Sequence, residues 1–520
     1  MNSNRNLISG DRRWIVQIRQ TIDEDLEEDD IDIPASIFKI PPSLVSTKPD
    51  CYIPQQVALG PYHHWRPELY EMERYKISAA KRYRKQLQNG GLKFEQIVDQ
   101  LAGFEQRIRA CYHRFLDFDC ETLAWMMALD VSFLIGFLDA YAIEKGSLTR
   151  STSTMSRLDD FPCRRFVHDG ILRDIVMLEN QIPSFLLEKM LEFQFHCLES
   201  AKKSITSMLV GFCKEISPIR VTDVSKILDC THLLGFLYHM IVDHKIQEQC
   251  YETIDQENQE TQHKFKGIIN GVQRFLERLK LSEPVKLIGK FGRSIVLNIP
   301  VVRIFKDHVF KEDKRVLDVG QCDCVSPLTE EISIPSVTDL SKAGFQFSPS
   351  SGGIFTIGFD ETASVFFLPV LSLDVNTDVV LRNLIAYEVC NMSGPLVLAR
   401  FTELMNGIID TKEDARLLRE KGIMVNRLKN DEEVAKLWNG MSKSVRLTKV
   451  PFLDKVIEDV NKSYERRLRV KIGKLMKVYV FESWQFLVFL AVVMLLFLMS
   501  LEVFSSVCRF ILMFFMRTIF

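Results

Sequence analysis

The 19 residues from Ser483 to Leu501 read SWQFLVFLAVVMLLFLMSL and carry no charged side chain. A helix rises about 1.5 Å per residue, so this stretch extends for about 28 Å, close to the thickness of the hydrocarbon core of a bilayer. Glu482 and Glu502 flank the stretch. The sequence therefore predicts one membrane-spanning helix. Its membrane-facing residues are Trp484, Phe486, Leu487, Val488, Phe489, Leu490, Val492, Val493, Leu495, Leu496, Phe497, Leu498 and Leu501.

A basic juxtamembrane segment, residues 461–482, precedes the predicted span. Between residues 462 and 477 it carries Glu465 as its one acidic side chain. Basic residues beside a span favour the cytosolic side, so we expect the large N-terminal part in the cytosol and the lipid bilayer as a partner. The length suits the plasma membrane and the endoplasmic reticulum equally. The basic residues are Lys462, Arg466, Arg467, Arg469, Lys471, Lys474 and Lys477.

The N-terminus lacks the apolar run of a secretory signal. Eight of the ten residues from Asp23 to Asp32 are acidic, and such a block repels itself and stays solvated. We therefore predict a disordered leader over residues 1–34, and a short tail over residues 502–520.

Overall charge and cysteine content exclude two further classes of protein. Lys and Arg total 66 against 68 Asp and Glu, so no overall basic field attracts nucleic acid, and no nucleic-acid partner is predicted. Twelve cysteines in 520 residues are too dilute for a disulfide scaffold. Reduced thiols are expected.

The periodicity of the body predicts an α+β fold, predominantly α-helical, with a smaller β-bearing region. Residues 35–250 are mainly helical, and the apolar residues 122–142 form a buried helix rather than a second span because Asp130 and Asp139 are costly at membrane depth. Residues 251–264 are polar and form a linker or long loop. Residues 265–460 form a second part in which β-branched runs precede further helices.

No common catalytic motif supports an enzyme. The phosphate-binding loop, zincin, α/β-hydrolase and dinucleotide signatures are all absent, so no catalytic residue, metal site or cofactor is predicted. His63, His64 and Glu68 are the alternative, since an imidazole beside an acid acts as a general base when both reach one substrate atom. Adjacent residues on an extended segment point to opposite sides, which favours structural hydrogen bonding instead.

Several strings resemble the plant family known as domain of unknown function 247. They are YIP at residues 52–54, LGPYHH at 59–64, DIVMLENQIP at 174–183, HLL at 232–234, PSVTDL at 335–340 and LRNLIAYE at 381–388. The resemblance covers about residues 36–500. It departs at residues 129–134, which read LDVSFL where the family usually has Asp-Gly-Cys-Phe. The motif residues of unknown role are Gly60, Pro61, Tyr62, His63, His64, Glu179, Asn180, Gln181 and Pro183.

The resemblance implies a land-plant protein, attached to a membrane by its C-terminal helix, with no assigned enzymatic activity. Some relatives are similar to the male self-incompatibility determinants of grasses, which implies recognition or signalling. We therefore expect a membrane-anchored protein-interaction module with an unknown protein partner. Two alternatives stay open: an enzyme with a site near His63 and His64, and an extracellular recognition domain.

Overall fold

The structure is a computed structural model, and it describes residue 15 and residues 35–87, 93–142, 164–221, 230–242, 332–441 and 448–519. The side chains of residues 164–166, 468–486 and 510–519 are not described. Apart from residue 15, the predicted leader (1–34), the linker (251–264) and the β-branched runs before residue 332 therefore lie outside the described residues.

Helices dominate the described chain. They are α1 (Pro42–Val45), α2 (Glu73–Leu87), α3 (Phe94–Ala102), α4 (Glu105–Ala110), α5 (Cys120–Leu138), α6 (Arg164–Ile175), α7 (Ser184–Phe195), α8 (Leu198–Ile216), α9 (Leu233–Ile241), α10 (Val337–Lys342), α11 (Thr377–Asn391), α12 (Val397–Ile408), α13 (Lys412–Glu420), α14 (Asp431–Trp438) and α15 (Pro451–Ile519). The strands are β1 (Gln346–Ser350), β2 (Gly358–Asp360), β3 (Val365–Pro369), β4 (Leu371–Leu373) and β5 (Met424–Asn426). Short 3-10 turns cover Pro49–Cys51, Pro67–Met72, Asp139–Tyr141, Leu178–Asn180 and Ile354–Thr356. The predicted α+β class is confirmed.

Two small sheets form the β-bearing region. Strand β3 lies between β1, which runs parallel to it, and β2, which runs antiparallel. Strand β4 pairs in parallel with β5 from much later in the chain. The parallel pairings require crossover connections, which the alternation of apolar residues in single strands does not reveal.

Helix α5 is the buried helix that the sequence predicts over residues 122–142. Asp119 caps its start by accepting a hydrogen bond from the Thr122 N–H at 2.8 Å. The helix is long and apolar enough to cross a membrane, but most of it is buried inside the body. Asp130 is 1% exposed and satisfied by hydrogen bonds within the fold, as described below.

One hydrophobic core extends from Ile37 to Val460. It therefore takes in residues from both predicted parts of the body, 35–250 and 265–460. Their shared core makes the described residues of the two parts one packing unit.

Helix α15 connects the body to the apolar C-terminus. Its first turns are part of the core: Leu453, Ile457 and Val460 are buried. Its later residues Leu487–Arg509 form a helical stretch long and apolar enough to cross a membrane, and this stretch packs against no other part of the described chain. The predicted C-terminal apolar helix is confirmed.

Candidate functional site

The extended segment 35–62 carries the first group of motif residues and lies against the body. Apart from α1 and the turn at Pro49–Cys51 it has no regular helix or strand, so its buried backbone groups need partners elsewhere. Those partners are buried polar side chains that lie 70 or more residues further along the chain. The geometry of the candidate site follows from this arrangement.

Asp174, at the end of α6, holds the middle of the segment. One carboxylate oxygen, Oδ2, accepts hydrogen bonds from the N–H groups of Gln55, Gln56 and Val57, at 2.9 Å for Gln55 and 3.0 Å for Val57. Burial raises the pKa of Asp174, and the N–H groups of Gln56 and Val57 oppose that rise. The Asp174 carboxylate thus accepts from three consecutive backbone N–H groups, which have no partner strand in the described part of the chain.

Asn180 uses its whole side-chain amide in the same contact. Its Oδ1 accepts a hydrogen bond from the Leu59 N–H at 2.7 Å. Its Nδ2 donates to the carbonyl oxygens of Val57 at 2.9 Å and Asp174 at 3.0 Å. An amide is required here because the two backbone carbonyls need a donor and the N–H needs an acceptor.

Gln181 links the same turn to two further elements. Its Nε2 donates to the carbonyls of Ile175 at 2.7 Å and Met177 at 2.8 Å, and its Oε1 accepts from the Leu234 N–H at 3.0 Å, in the first turn of α9. Its backbone carbonyl accepts from the Tyr112 hydroxyl at 3.0 Å. The side chain is 2% exposed, so each of these bonds forms away from water.

Gly60 stands where the segment turns. Its φ of 70° favours glycine, and an added Cβ would lie 2.8 Å from the Tyr112 hydroxyl and 2.9 Å from the Gln181 carbonyl. Its N–H donates to Asp130 Oδ2 at 2.8 Å. The glycine is therefore required both by the backbone conformation and by the lack of space.

Lys76 is a buried cation beside the same carboxylate. Its Nζ lies 2.7 Å from Asp130 Oδ1 and 2.7 Å from Glu73 Oε1, and the residue is fully buried. Burial alone would lower the pKa of Lys76, but the two carboxylates together raise it. Lys76 and Asp130 therefore form a buried ion pair between α2 and α5.

His63 pairs with Glu179. Its Nε2 lies 3.2 Å from Glu179 Oε2, while Glu179 Oε1 accepts from the Ile40 N–H at 2.9 Å and Lys39 Nζ lies 3.5 Å away. Burial would raise the pKa of Glu179, but His63, the Ile40 N–H and Lys39 lower it overall. Both motif residues of this pair are buried.

His64 and Glu68 have different surroundings from His63. The ring of His64 meets the ring of Trp65 edge-on, with centroids 4.5 Å apart, and burial lowers the pKa of His64. Glu68 is exposed and lies 3.6 Å from Arg66 Nε. The three residues of the catalytic alternative therefore have separate partners, and none of them lines the cavities described below.

Tyr62 and Pro183 complete the motif residues. The Tyr62 hydroxyl donates to the Ile37 carbonyl at 3.0 Å and accepts from the Arg114 N–H at 3.1 Å. Pro61 and Pro183 are buried, and Pro183 directly precedes the first residue of α7. Pro183 therefore lies in the break between α6 and α7.

Two further residues, His232 and Asn383, extend the contact to α9 and α11. His232 Nδ1 accepts from the Gly235 N–H at 3.1 Å, and its Nε2 lies 3.1 Å from the Ser36 carbonyl. Burial lowers the pKa of His232 to about 4, so the ring is neutral and Nε2–H is the donor to Ser36. In the sequence, His232 stands out only as part of the matched string HLL at residues 232–234.

Asn383 contacts both the extended segment 35–62 and the turn at Leu178–Asn180. Its Oδ1 accepts from the Leu178 N–H at 3.0 Å, and its Nδ2 donates to the carbonyls of Cys51 at 2.8 Å and Val379 at 2.9 Å. Sequence reasoning placed Asn383 in a matched string but did not single it out. The sequence did contain a signal for this role, because Asn383 lies among apolar residues of a helix. A buried asparagine needs hydrogen-bond partners inside the fold.

We call these side chains the buried polar network: Asp130, Asp174, Glu179, Asn180, Gln181, His232 and Asn383. The cavity beside Asn180 and Gln181 has a volume of about 10 Å³, enough for about one water molecule. A larger cavity of about 560 Å³ lies between α2, α5, α7 and α8, and no motif residue lines it. The network fits a role in holding the fold, and it offers no space for a substrate.

Glu388 forms a separate buried site at the start of α12. Its carboxylate accepts from the Tyr238 hydroxyl at 2.7 Å and from the N–H groups of Leu398 and Ala399, both at 2.8 Å. Burial raises the pKa of Glu388 to about 7, although these donors oppose the rise. The carboxylate therefore caps a helix and titrates close to neutral pH.

We expect Glu388 to make the stability of the protein depend on pH. Because its pKa in the fold exceeds the unfolded value of 4.5, its contribution is fully present below pH 4.5 and is lost as the pH rises through about 7. The loss amounts to about 3 kcal/mol by pH 8. Urea midpoints of the full chain in detergent, measured from pH 4.5 to 8, report it. The Glu388→Gln variant removes this titration, and a parallel pH dependence in both proteins contradicts the assignment.

Cys197 is an exposed thiol that the sequence motifs do not single out. It precedes α8, and hydrogen bonds from the Ser200 hydroxyl and from the N–H groups of Ser200 and Glu199 lower the pKa of Cys197. Cys51, Cys111 and Cys213 are buried, and burial raises their pKa values. The signal in the sequence was its position just before a helix, where N–H groups point toward the thiolate.

The predicted basic segment is partly engaged by the body. Arg467 donates to the Ala343 carbonyl at 2.9 Å and to the Ser364 hydroxyl, and its guanidinium lies 4.9 Å from the centre of the Phe345 ring. Arg466 pairs with Glu361. Lys462 pairs with Glu458 on the surface of α15. Binding of this segment to lipid stays a prediction, and the side chains of Arg469, Lys471, Lys474 and Lys477 lie outside the described residues.

The predicted span residues from Leu487 onward are all exposed in the structure. Trp484 and Phe486 lie in the same helix, but their side chains are outside the described residues. The apolar stretch of the structure, Leu487–Arg509, extends beyond the predicted end at Leu501 and includes Glu502. Within the described part of the chain, no group of three or more histidine, cysteine or acidic side chains is placed to hold a metal ion.

Comparisons with known proteins find a family model and two relatives. A family model described as a plant protein of unknown function matches residues 37–498. A putative UPF0481 protein of Arabidopsis thaliana is 45% identical over 516 residues, which cover 95% of this chain and 94% of the relative. A second UPF0481 protein of Arabidopsis thaliana is 26% identical over 152 residues, 29% of this chain and 30% of the relative. No solved structure matches.

Proposed function

This chain belongs to the domain of unknown function 247 family of plant proteins, and we propose that it is a membrane-tethered interaction module. Its folded body would be held at a bilayer by the C-terminal helix and would bind another protein involved in recognition or signalling. The bilayer would be the second partner. The observation that carries this proposal is the continuity of α15 from the core to the apolar C-terminus.

The contacts of α15 with the body support a firm connection. Arg400 donates from Nε and Nη2 to Asp454 Oδ1 at 2.8 and 2.6 Å, which fixes the first turns of the helix. Asn461 donates to the Ser333 carbonyl at 2.7 Å, and Arg467 binds the β-bearing region further along. These contacts hold α15 against the body as far as Arg467, which supports the proposed link between the body and its anchor.

Topology is the first test, and Cys197 is a suitable probe because its thiol is exposed and its pKa is lowered. Sealed microsomes carrying the full chain are treated with a membrane-impermeant maleimide, and the peptide containing Cys197 is quantified by mass spectrometry. We expect labelling without detergent, which places the body in the cytosol. Labelling only after detergent would instead support the extracellular recognition domain. Cys197→Ser is the control for the identity of the labelled peptide.

The interaction function has its own test. A proximity-labelling enzyme is fused to the N-terminus of the full chain and expressed in plant tissue, with an unrelated tail-anchored protein as the control. We expect membrane or signalling proteins to be enriched over the control, because tethering raises the effective concentration of the body near them. Equal labelling patterns for the two fusions would refute the interaction function.

A further inference from the structure

The cavity of about 560 Å³ between α2, α5, α7 and α8 is large enough for a small organic molecule. Ligand pockets in proteins range from about 300 to 1,000 Å³. Part of its wall is apolar and buried, and this part includes Ala79, Ile135, Leu191 and Met208. Phe195 also lines the cavity and is exposed, so the cavity is open to the surface on that side.

A glycine inside α5 keeps part of this space open. Gly136 lines the cavity, and a Cβ added there would meet no atom of the described chain within 4 Å. Because Gly136 lies within the regular helix Cys120–Leu138, neither a turn nor a close approach of another described element explains it. A glycine inside a helix destabilises that helix relative to alanine. A ligand in the cavity would account for both the glycine and the open space.

The polar part of the lining favours an uncharged ligand. Arg82 and Asp139 are the two charged residues among the described residues that line the cavity, and their charges cancel. The other polar groups are hydroxyls and amides, which donate and accept hydrogen bonds without carrying charge. An anionic ligand would share the cavity with Asp139 and a cationic one with Arg82, whereas ligand hydroxyl groups would find donors and acceptors here. These uncharged polar residues are Gln86, Ser132, Gln194, Ser204 and Ser207.

We propose that this cavity binds an uncharged amphipathic molecule, with its apolar part against Leu191 and Met208 and its hydroxyl groups against the amides and serine hydroxyls. The inference goes beyond the proposed interaction module, because it gives the body a ligand-binding site of its own. It depends neither on the apolar C-terminal helix nor on the buried polar network. A bound molecule would contact α2, α5, α7 and α8 at once, so it is expected to stabilise the folded body.

The probe is a dodecyl glycerol ether with a photoreactive diazirine in its alkyl chain, because this molecule has an apolar part, hydroxyl groups and no charge. The full chain in phosphatidylcholine nanodiscs is irradiated with the probe, with and without an excess of the unmodified ether, and labelled peptides are identified by mass spectrometry. We expect labelling of peptides from α5 and α8 that the excess ether suppresses. The corresponding photoreactive alkyl phosphate is expected to label them about tenfold less, because its head group is charged.

Two variants that fill the cavity test the site. Gly136→Phe places a ring in the open space and is expected to reduce labelling about tenfold, because the ring and the ligand would overlap. Ser204→Phe fills the cavity from α8 and is an independent second variant. Gly358→Phe is the matched control, since an added Cβ there also meets no atom of the described chain within 4 Å, but Gly358 lies in β2 and does not line the cavity. Urea midpoints establish that each variant is folded.

Labelling of α5 and α8 that the excess ether does not reduce would overturn the inference. Labelling of the folded Gly136→Phe and Ser204→Phe variants as strong as that of the natural chain would place the ligand outside the cavity and overturn it as well. Equal labelling by the alkyl phosphate probe would refute the uncharged class of ligand. None of these results bears on the membrane tether or the interaction function, which the maleimide and proximity-labelling experiments test separately.

Discussion

Replacing Asp130 with Asn is expected to lower the free energy of unfolding of the full chain by about 3–5 kcal/mol. The substitution leaves the fully buried Lys76 ammonium with Glu73 as its one remaining acidic partner. It also weakens the acceptor for the Gly60 N–H, which loses a charge-assisted hydrogen bond. Urea midpoints of the full chain in detergent measure the effect, with the fluorescence of the buried Trp438 among the reporters.

Two further variants test whether the unpaired Lys76 ammonium causes this loss of stability. Adding Lys76→Met to Asp130→Asn removes the unpaired charge, so the double variant is expected to recover part of the stability. Glu420→Gln is the surface control, since its pair with Arg416 is exposed and contributes about 1 kcal/mol or less. A double variant less stable than Asp130→Asn alone would show that the cost does not come from the unpaired lysine.

Gln181→Glu is expected to destabilise the protein by about 4 kcal/mol at pH 7. The carboxylate would face the carbonyls of Ile175 and Met177, which both lose their donor, at about 1–3 kcal/mol for each unsatisfied group. The bond from the Leu234 N–H to Oε1 is kept, so the change isolates the two donors. The same urea unfolding experiment measures the loss.

The pH dependence of this variant provides the internal check. Protonation of the new carboxyl restores one donor, so the deficit is expected to shrink when the pH falls toward 4. Gln100→Glu makes the same chemical change on the exposed face of α3 and is expected to alter stability by about 0.5 kcal/mol or less. Equal losses at positions 100 and 181 would contradict the role assigned to the network.

Local patterns were enough to predict the helices and the class of fold. The apolar periodicity predicts α5 as a buried helix, and the proline at position 183 marks the start of α7. The C-terminal apolar helix follows from its length and lack of charge. Each of these features depends on residues that are close together in the chain, which is why it can be predicted from a single sequence.

The contacts of the candidate site could not be predicted from local patterns. The strings at 59–64 and 174–183 stand out in the sequence, but their contact depends on how α5, α6 and α9 pack, which no local pattern encodes. The same holds for the ion pair of Lys76 with Asp130, whose side chains are 54 positions apart in the sequence. The parallel pairing of β4 with β5 is another long-range contact of this kind.

The buried polar network also sets an order of events during synthesis. The carbonyl of Cys51 binds Asn383, which is 332 residues further along the chain. At about 5–20 residues per second, the ribosome needs roughly 17–66 seconds to deliver that partner. Segment 35–62 therefore leaves the ribosome early and waits for the side chains that hold it, with its backbone polar groups bound to water or to a chaperone in the meantime. The N-terminal motif is synthesised among the first parts of the body and is expected to reach its native contacts among the last.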